Sequence, residues 1–317
     1  TFDQGPGKRI AEQDSELGAE IITRYDDYQF LNNDKANLLK LGRTWVEDSF
    51  SSEKKVTFNL NTPIQPTDEI TYRLSVVSYT GSRNSISFNI NGENPVVGTI
   101  PNSGSQFYKY TVERTLNNLS GNSINFNITP NTAANPNGSF YFDYVEVKYK
   151  QDLTFNNTQM NFRSYDIVEG INENYGFAIS NGAAIEQVWE VTDFHNVSKR
   201  INKTASSGNF SFGYLADNEM KKNEFVAFKA TSAYSPTFVA KIANQDINSL
   251  QGIDYLIITR KDMLMQGERM AKYYQDTKQY KTAVVDVDQI YNEYSSGGRD
   301  ITAIRDFIAY LHHQRGG

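Results

Sequence analysis

Apolar and polar residues alternate strictly between about Tyr25 and Lys150. Val56, Phe58 and Leu60 are interleaved with Thr57, Asn59 and Asn61, and the same period recurs at Ile86, Phe88 and Ile90 and at Ile124, Phe126 and Ile128. A period of two sends successive side chains to opposite faces, so each run predicts a strand with one buried face. Turn clusters at Thr80-Gly81-Ser82, Asn91-Gly92 and Asn135-Pro136-Asn137-Gly138 separate the runs. Seven or more short strands punctuated in this way predict a β-sandwich over residues 25–150.

The pattern differs elsewhere. Residues 1–24 lack a clear period and carry Gly5, Pro6, Gly7 and Gly18 before the apolar pair Ile21 and Ile22, which predicts a loose opening segment with one strand. Residues 151–250 read as a second β-rich domain, with strands around Phe177–Ile179, Val188–Val191 and Phe225–Phe228 and a Gly/Ser break at 206–208. From 251 to 317 the rules change again. Asp254–Thr259 is a continuous apolar run suited to a strand buried on both faces, followed by a helix with Met263, Met270, Ala271 and Tyr274 near one face. A second strand at Thr282–Val287 precedes a helix marked by Ile301, Ile304, Ile308 and Leu311, with Asp300 as its N-cap. Strand, helix, strand, helix predicts a parallel sheet. Two parallel strands do not cover both their own faces, so the pattern is expected to stop inside a domain.

Composition narrows the chemistry. With 31 basic and 37 acidic residues the net charge is −6, which leaves no positive excess to neutralise a nucleic-acid backbone. No apolar run approaches the ~18 residues of a spanning helix, and no charged-then-apolar leader opens the chain, so Thr1 reads as a mature terminus. Tyr and Phe dominate the 13% aromatic content, as a many-stranded fold favours. Cysteine is absent, which excludes disulfides, zinc thiolates and a Cys nucleophile from these 317 residues.

Only His195, His312 and His313 carry an imidazole. His195 follows the strand at Trp189 and reads as a polar turn residue; His312 and His313 point to different faces of the last helix, where a cation suits the helix dipole. Asp26 and Asp27, between Tyr25 and Tyr28, are a conceivable calcium pair, but no Asp-x-Asp-x-Asp-Gly loop accompanies them and a solvated turn is the expectation. Asn118, Asn127, Asn156, Asn196 and Asn202 each open an Asn-x-Ser/Thr triplet, which an Asn-rich chain produces by chance. The residues therefore nominate no catalytic, cofactor-binding or metal-binding group.

Three ordered blocks carry a family resemblance: Asp254–Thr259, then Tyr280 through Val287 and on to Gly297, then Asp300–Phe307. Together they resemble the opening of a gingipain-family cysteine peptidase domain. Within that family, the long β-rich region ahead of the peptidase-like segment is similar to the sortases of the type IX secretion system, as are the blocks Gly42–Phe50 and Val188–Asp193. The strand Phe140–Tyr149 is similar to the last strand of jelly-roll, galactose-binding-like modules. The resemblance implies a mostly β chain: a jelly-roll-like sandwich, a second β-rich domain and the truncated start of a caspase-like α/β domain.

It also implies a His and Cys dyad, the thiolate attacking a peptide carbonyl, on strands beyond Gly317. The chain alone is then not a competent peptidase. The implied parent is a cell-surface, outer-membrane-associated enzyme that removes C-terminal signal domains from secreted cargo and passes the cargo to lipopolysaccharide. Its implied partners are that cargo, the lipopolysaccharide acceptor and other secretion components, with no cofactor and no nucleic acid. The competing expectation, resting on the sandwich and its aromatic residues, is a non-catalytic carbohydrate-binding or adhesion protein.

Overall fold

The computed structural model describes residues 9–40, 44–102, 106–133, 136–167, 173–204, 207–216, 223–233 and 235–314. Gly5 to Gly7, Gly42, Arg43, Asn135 and Ser206, each part of an expected turn or motif, lie outside the described residues. The chain divides into two compact units, Thr1–Ser235 and Pro236–Gly317.

The first unit begins with the expected sandwich. One sheet runs in the order Lys54–Ile64, Gly121–Pro130, Asn84–Ile90, Val96–Ile100, and the other runs Arg24–Asn32, Ser139–Asp152, Ile70–Tyr79, Tyr108–Leu116. Every pairing in both sheets is antiparallel. The alternating residues do what their period requires. Val56, Phe58, Ile86, Phe88, Ile90, Ile124, Phe126 and Ile128 are all buried in one core with Tyr72, Leu74 and Val76 from the facing sheet.

The strand Ser139–Asp152 stays in the core along its whole length, with Val145, Val147, Tyr149 and Gln151 buried to its end. A register shift between Phe142 and Tyr144 places Asp143 as an extra residue, which moves the inward face from even to odd positions. The aromatic run thus fills both parities without leaving the sheet. Asp143 is itself buried and accepts from Ser75 Oγ at 2.7 Å, while Lys109 lies 2.8 Å from its carboxylate.

A second, separate core follows in the same unit. One sheet runs Ala11–Gln13, Ser198–Arg200, Gln187–Glu190, Phe225–Phe228, Met160–Phe162, and the other runs Phe210–Ala216, Glu173–Ile179, Glu20–Ile22. Phe162, Phe177, Phe212 and Phe225 form its centre, with ring centroids 4.9–6.3 Å apart. The opening segment, expected to be loose, is a strap across this region. Ala11–Gln13 pairs in parallel with Ser198–Arg200, and Glu20–Ile22 pairs in parallel with Tyr175–Phe177.

Glycines let the strap lie this close: a Cβ on Gly18 would sit 1.6 Å from the Asn174 carbonyl oxygen, and one on Gly213 would sit 2.3 Å from the carbonyls of Ser15 and Glu16. Lys199 with Glu12 at 2.7 Å, Lys203 with Asp14, and Ser198 Oγ donating to Gln13 at 2.9 Å add side-chain ties. The apolar pair Ile21 and Ile22 announces the strand Glu20–Ile22, as expected, while Ala11–Gln13 has no apolar pattern that announces it.

The second unit is an α/β fragment. Tyr255–Thr259 and Thr282–Asp286 form a two-stranded parallel sheet, joined by helix α1 (Leu264–Lys278). Helices α2 (Val287–Tyr294) and α3 (Ile301–Gln314) follow. Ile247, Val285, Ile290, Ala303 and Phe307 are its buried centre.

Several expected positions change here. The first strand is half-buried along its whole length rather than buried on both faces. Helix α1 turns Gly267 and Ala271, four residues apart, toward the sheet, leaving Met263 and Met270 exposed. The space explains the choice, because a Cβ on Gly267 would already approach Val284 Cγ1 to 2.9 Å and a thioether would not fit. In α3 the buried stripe is Ala303 and Phe307, with Ile304 and Leu311 packed beside it and Ile301 and Ile308 exposed. Asp300 does cap α3, its carboxylate accepting from Thr302 N–H at 2.8 Å. No helix among the described residues is long and apolar enough to cross a membrane.

Candidate functional site

A parallel strand pair directs the carboxyl ends of both strands to one edge, where the following loops enclose a crevice. In the second unit the first strand leads into Arg260, Lys261 and Asp262. The second leads directly into α2, whose N-cap Asp286 accepts from Asp288 N–H at 3.1 Å. Arg260, Lys261, Asp262, Val287, Asp288, Tyr291 and Arg299 surround a cavity of about 540 Å³. Arg260 is held by Asp262, with guanidinium nitrogens 3.3 Å from its carboxylate. Lys261 and Arg299 have no ion-pair partner among the described residues, and both are exposed. The edge therefore offers positive and hydrogen-bonding groups but no thiol or imidazole. The apolar pattern leading into this edge was legible; the polar residues after each strand were missed, although the position after a buried strand in a βα unit is where they were to be sought.

Neither histidine of the second unit lines this cavity. His312 and His313 are exposed in the last turn of α3, with ring planes 85° apart, as the helical reading expected. Arg305 on the same helix pairs with Asp306 at 2.7 Å. His195 lies in an exposed turn, its backbone N–H donating to Asp193 Oδ1 at 2.9 Å and its ring 4.2 Å from that of Phe194. Two of the Asn-x-Ser/Thr sites brace their own loops: Asn156 Oδ1 accepts from Thr158 N–H, and Asn202 Oδ1 accepts from both Thr204 and Ser211 N–H.

Asp26 and Asp27 overturn their reading as a solvated turn. Both lie within the strand Arg24–Asn32, at the seam between the two cores of the first unit. Asp27 Oδ2 accepts from Tyr149 Oη at 2.8 Å and from Gln151 Nε2 at 2.5 Å. Asp26 accepts from Tyr165 N–H at 2.7 Å, and burial raises its pKa above the ordinary carboxylate value. Burial and the Asp27 charge also push the Tyr149 phenol well above its usual range. No group of three or more acidic, His or Cys side chains able to hold a metal is present among the described residues.

The same seam carries an ion-pair node. Arg24 donates to both carboxylate oxygens of Asp68, at 2.5 and 2.8 Å, and to Asp152 at 2.9 Å. Burial works to raise the Asp68 pKa, but the Arg24 hydrogen bonds and the Gln65 N–H outweigh it and hold the carboxyl below the usual range.

Comparison with known proteins bears first on the α/β unit. Residues 248–316 match the model of Peptidase family C25. The C25 segment thus spans both parallel strands and all three helices. Over nearly the whole chain the fold is similar to that of dimeric latent PorU from Porphyromonas gingivalis, with a TM-score of 0.75 at 19% identity. That match covers 96% of this chain and 30% of PorU, so the chain spans under a third of the length of the protein it resembles. Smaller overlaps are found with a CBM35 from Cellvibrio japonicus Abf62 (TM-score 0.26, 13% identity, 38% of this chain and 92% of that one). A CBM36-1 domain of a xylanase from the hindgut metagenome of Trinervitermes trinervoides gives a TM-score of 0.24 at 15% identity, over 38% of this chain and 96% of that one. No curated protein matches the sequence. The mostly β fold class expected from the sequence is borne out, and the segment expected to resemble the opening of a gingipain-family peptidase domain is the one that matches the C25 model.

Proposed function

We propose that this chain is the N-terminal region of a cell-surface C25 cysteine peptidase that acts as a sortase of the type IX secretion system. In this reading the parent enzyme cleaves C-terminal signal domains from secreted cargo and transfers the cargo to lipopolysaccharide. The β-rich unit docks cargo or other secretion components, and the α/β unit begins the catalytic domain. The observation that carries the reading is the coincidence of a C25 match at residues 248–316 with a PorU-like fold over 96% of the chain. The two parallel strands supply the first part of a catalytic sheet, and the chain, which has no cysteine, does not contribute the thiolate.

Sequencing the native polypeptide past Gly317 tests the peptidase half of the proposal. The expected result is a His and then a Cys, each at the carboxyl end of an apolar strand; a native chain without both sinks it. The sortase half is read in cells lacking the gene, where cargo is expected to keep its C-terminal signal domain and to be lost from the surface. Cargo of normal mass on the surface of such cells overturns that half.

A further inference from the structure

We propose that the cleft at the seam of the first unit, between Tyr28 and Tyr165, is a binding site for a neutral saccharide. The cleft has a volume of about 390 Å³, within the range of about 300–1,000 Å³ typical of small-ligand sites. Tyr28 is 40% exposed and Tyr165 is 55% exposed, so two exposed aromatic rings line a depression completed by buried Tyr149 and by charged side chains. Rings in this setting offer apolar faces to the C–H faces of a sugar.

The polar lining selects the ligand class. Asp26, Asp27 and Glu146 contribute carboxylates, and Lys148 and Arg163 contribute cations. A charged ligand meets like charge on one wall whichever its sign. A hydroxyl both donates and accepts, so a neutral polyol uses carboxylate, ammonium and guanidinium alike. Lys148 has no ion-pair partner among the described residues and is exposed, which leaves its three N–H donors available.

The lining is also held in place before any ligand arrives. Tyr28 Oη donates to Glu146 at 2.9 Å, Tyr149 Oη donates to Asp27 at 2.8 Å, Tyr165 N–H donates to Asp26 at 2.7 Å, and Arg163 pairs with Glu224 at 2.8 Å. Each carboxylate keeps lone pairs beyond these bonds. Side chains already fixed lose little entropy on binding, which favours a polar ligand of modest affinity. The inference rests on the cleft alone and is independent of the peptidase reading.

Isothermal titration of the full chain with maltotriose, cellotriose, α-mannotriose and β-1,4-galactotriose tests it. At least one saccharide is expected to bind with millimolar or tighter affinity and little dependence on salt. Tyr28→Ala and Tyr165→Ala are each expected to weaken that binding by about tenfold, the worth of one stacked ring. Phe194→Ala, which removes an exposed ring from a turn outside the cleft, is expected to leave it unchanged. Circular dichroism verifies that each variant folds. Absence of binding by every saccharide overturns the proposal, as does binding that survives both tyrosine substitutions. Salt-sensitive binding of trilysine in place of the sugars, lost in the same variants, assigns the cleft to a cationic peptide and overturns it equally.

Discussion

Arg200 sits with its side chain only 2% exposed among the aromatic rings of the second core, 5.9 Å from the ring centroids of both Tyr214 and Phe225. Glu190 is its ion-pair partner, while its Nε and Nη1 have no hydrogen-bond partner among the described residues. Burial draws its pKa down to about 10, a sign of how poorly the surroundings solvate the charge. Glu190→Ala leaves that guanidinium uncompensated and is expected to cost about 3–5 kcal/mol in urea denaturation. Arg200→Met removes the charge and keeps the volume, and is expected to cost far less or to stabilise. Equal losses in the two variants contradict this account.

Asp68 behaves in the opposite sense. Its folded pKa lies below the unfolded value of about 3.9, so the stabilisation it brings is fully present above that value and is lost as pH falls through the folded pKa. Asp68→Asn is expected to lower stability at neutral pH by about 2–3 kcal/mol and to flatten the acid limb of the stability curve below pH ~4. An unchanged acid limb shows that other carboxylates govern acid unfolding.

The strap of residues 11–22 depends on close backbone approach, which a single methyl group abolishes. Gly18→Ala is expected to detach it, at a cost of about 3 kcal/mol, with faster hydrogen exchange in Glu173–Ile179 and Phe210–Ala216. Exchange in Asn84–Ile90, whose pairing partners are Val96–Ile100 and Gly121–Pro130, is expected to stay as it was.

The contrast between these elements explains what the sequence revealed. Strands that bury one face and expose the other wrote their period plainly, as at Ile86, Phe88 and Ile90. The strap strands, with burial confined to Ile22, rely on backbone pairing to distant partners and leave no such record. Phe210–Ala216 was missed for another reason: nearly every residue is buried, so it has no alternation to read. The seam cleft was half legible. Tyr25, Asp26, Asp27 and Tyr28 stood out as a cluster, but Lys148, Arg163 and Tyr165 come from elements more than a hundred residues away and only folding brings them there.

At the scale of the whole molecule, the chain enters the second unit through 236–246, a stretch without helix or strand in which Phe238, Val239 and Ile242 are all exposed. Limited trypsin digestion is expected to cut first after Lys241, releasing an α/β fragment of the C25 segment and a β-rich fragment that keeps its cooperative melt. First cuts inside the sandwich strands contradict this division. The strap has a further consequence, in time rather than in space. Synthesis delivers Ala11–Gln13 and Glu20–Ile22 well before their partners, Ser198–Arg200 and Tyr175–Phe177. Contacts of such long sequence separation form slowly, because the intervening chain must close a large loop before they contribute. The sandwich of residues 24–152 holds all its strand-pairing partners within itself and can condense early, so the strap strands, made before it, find their place after it.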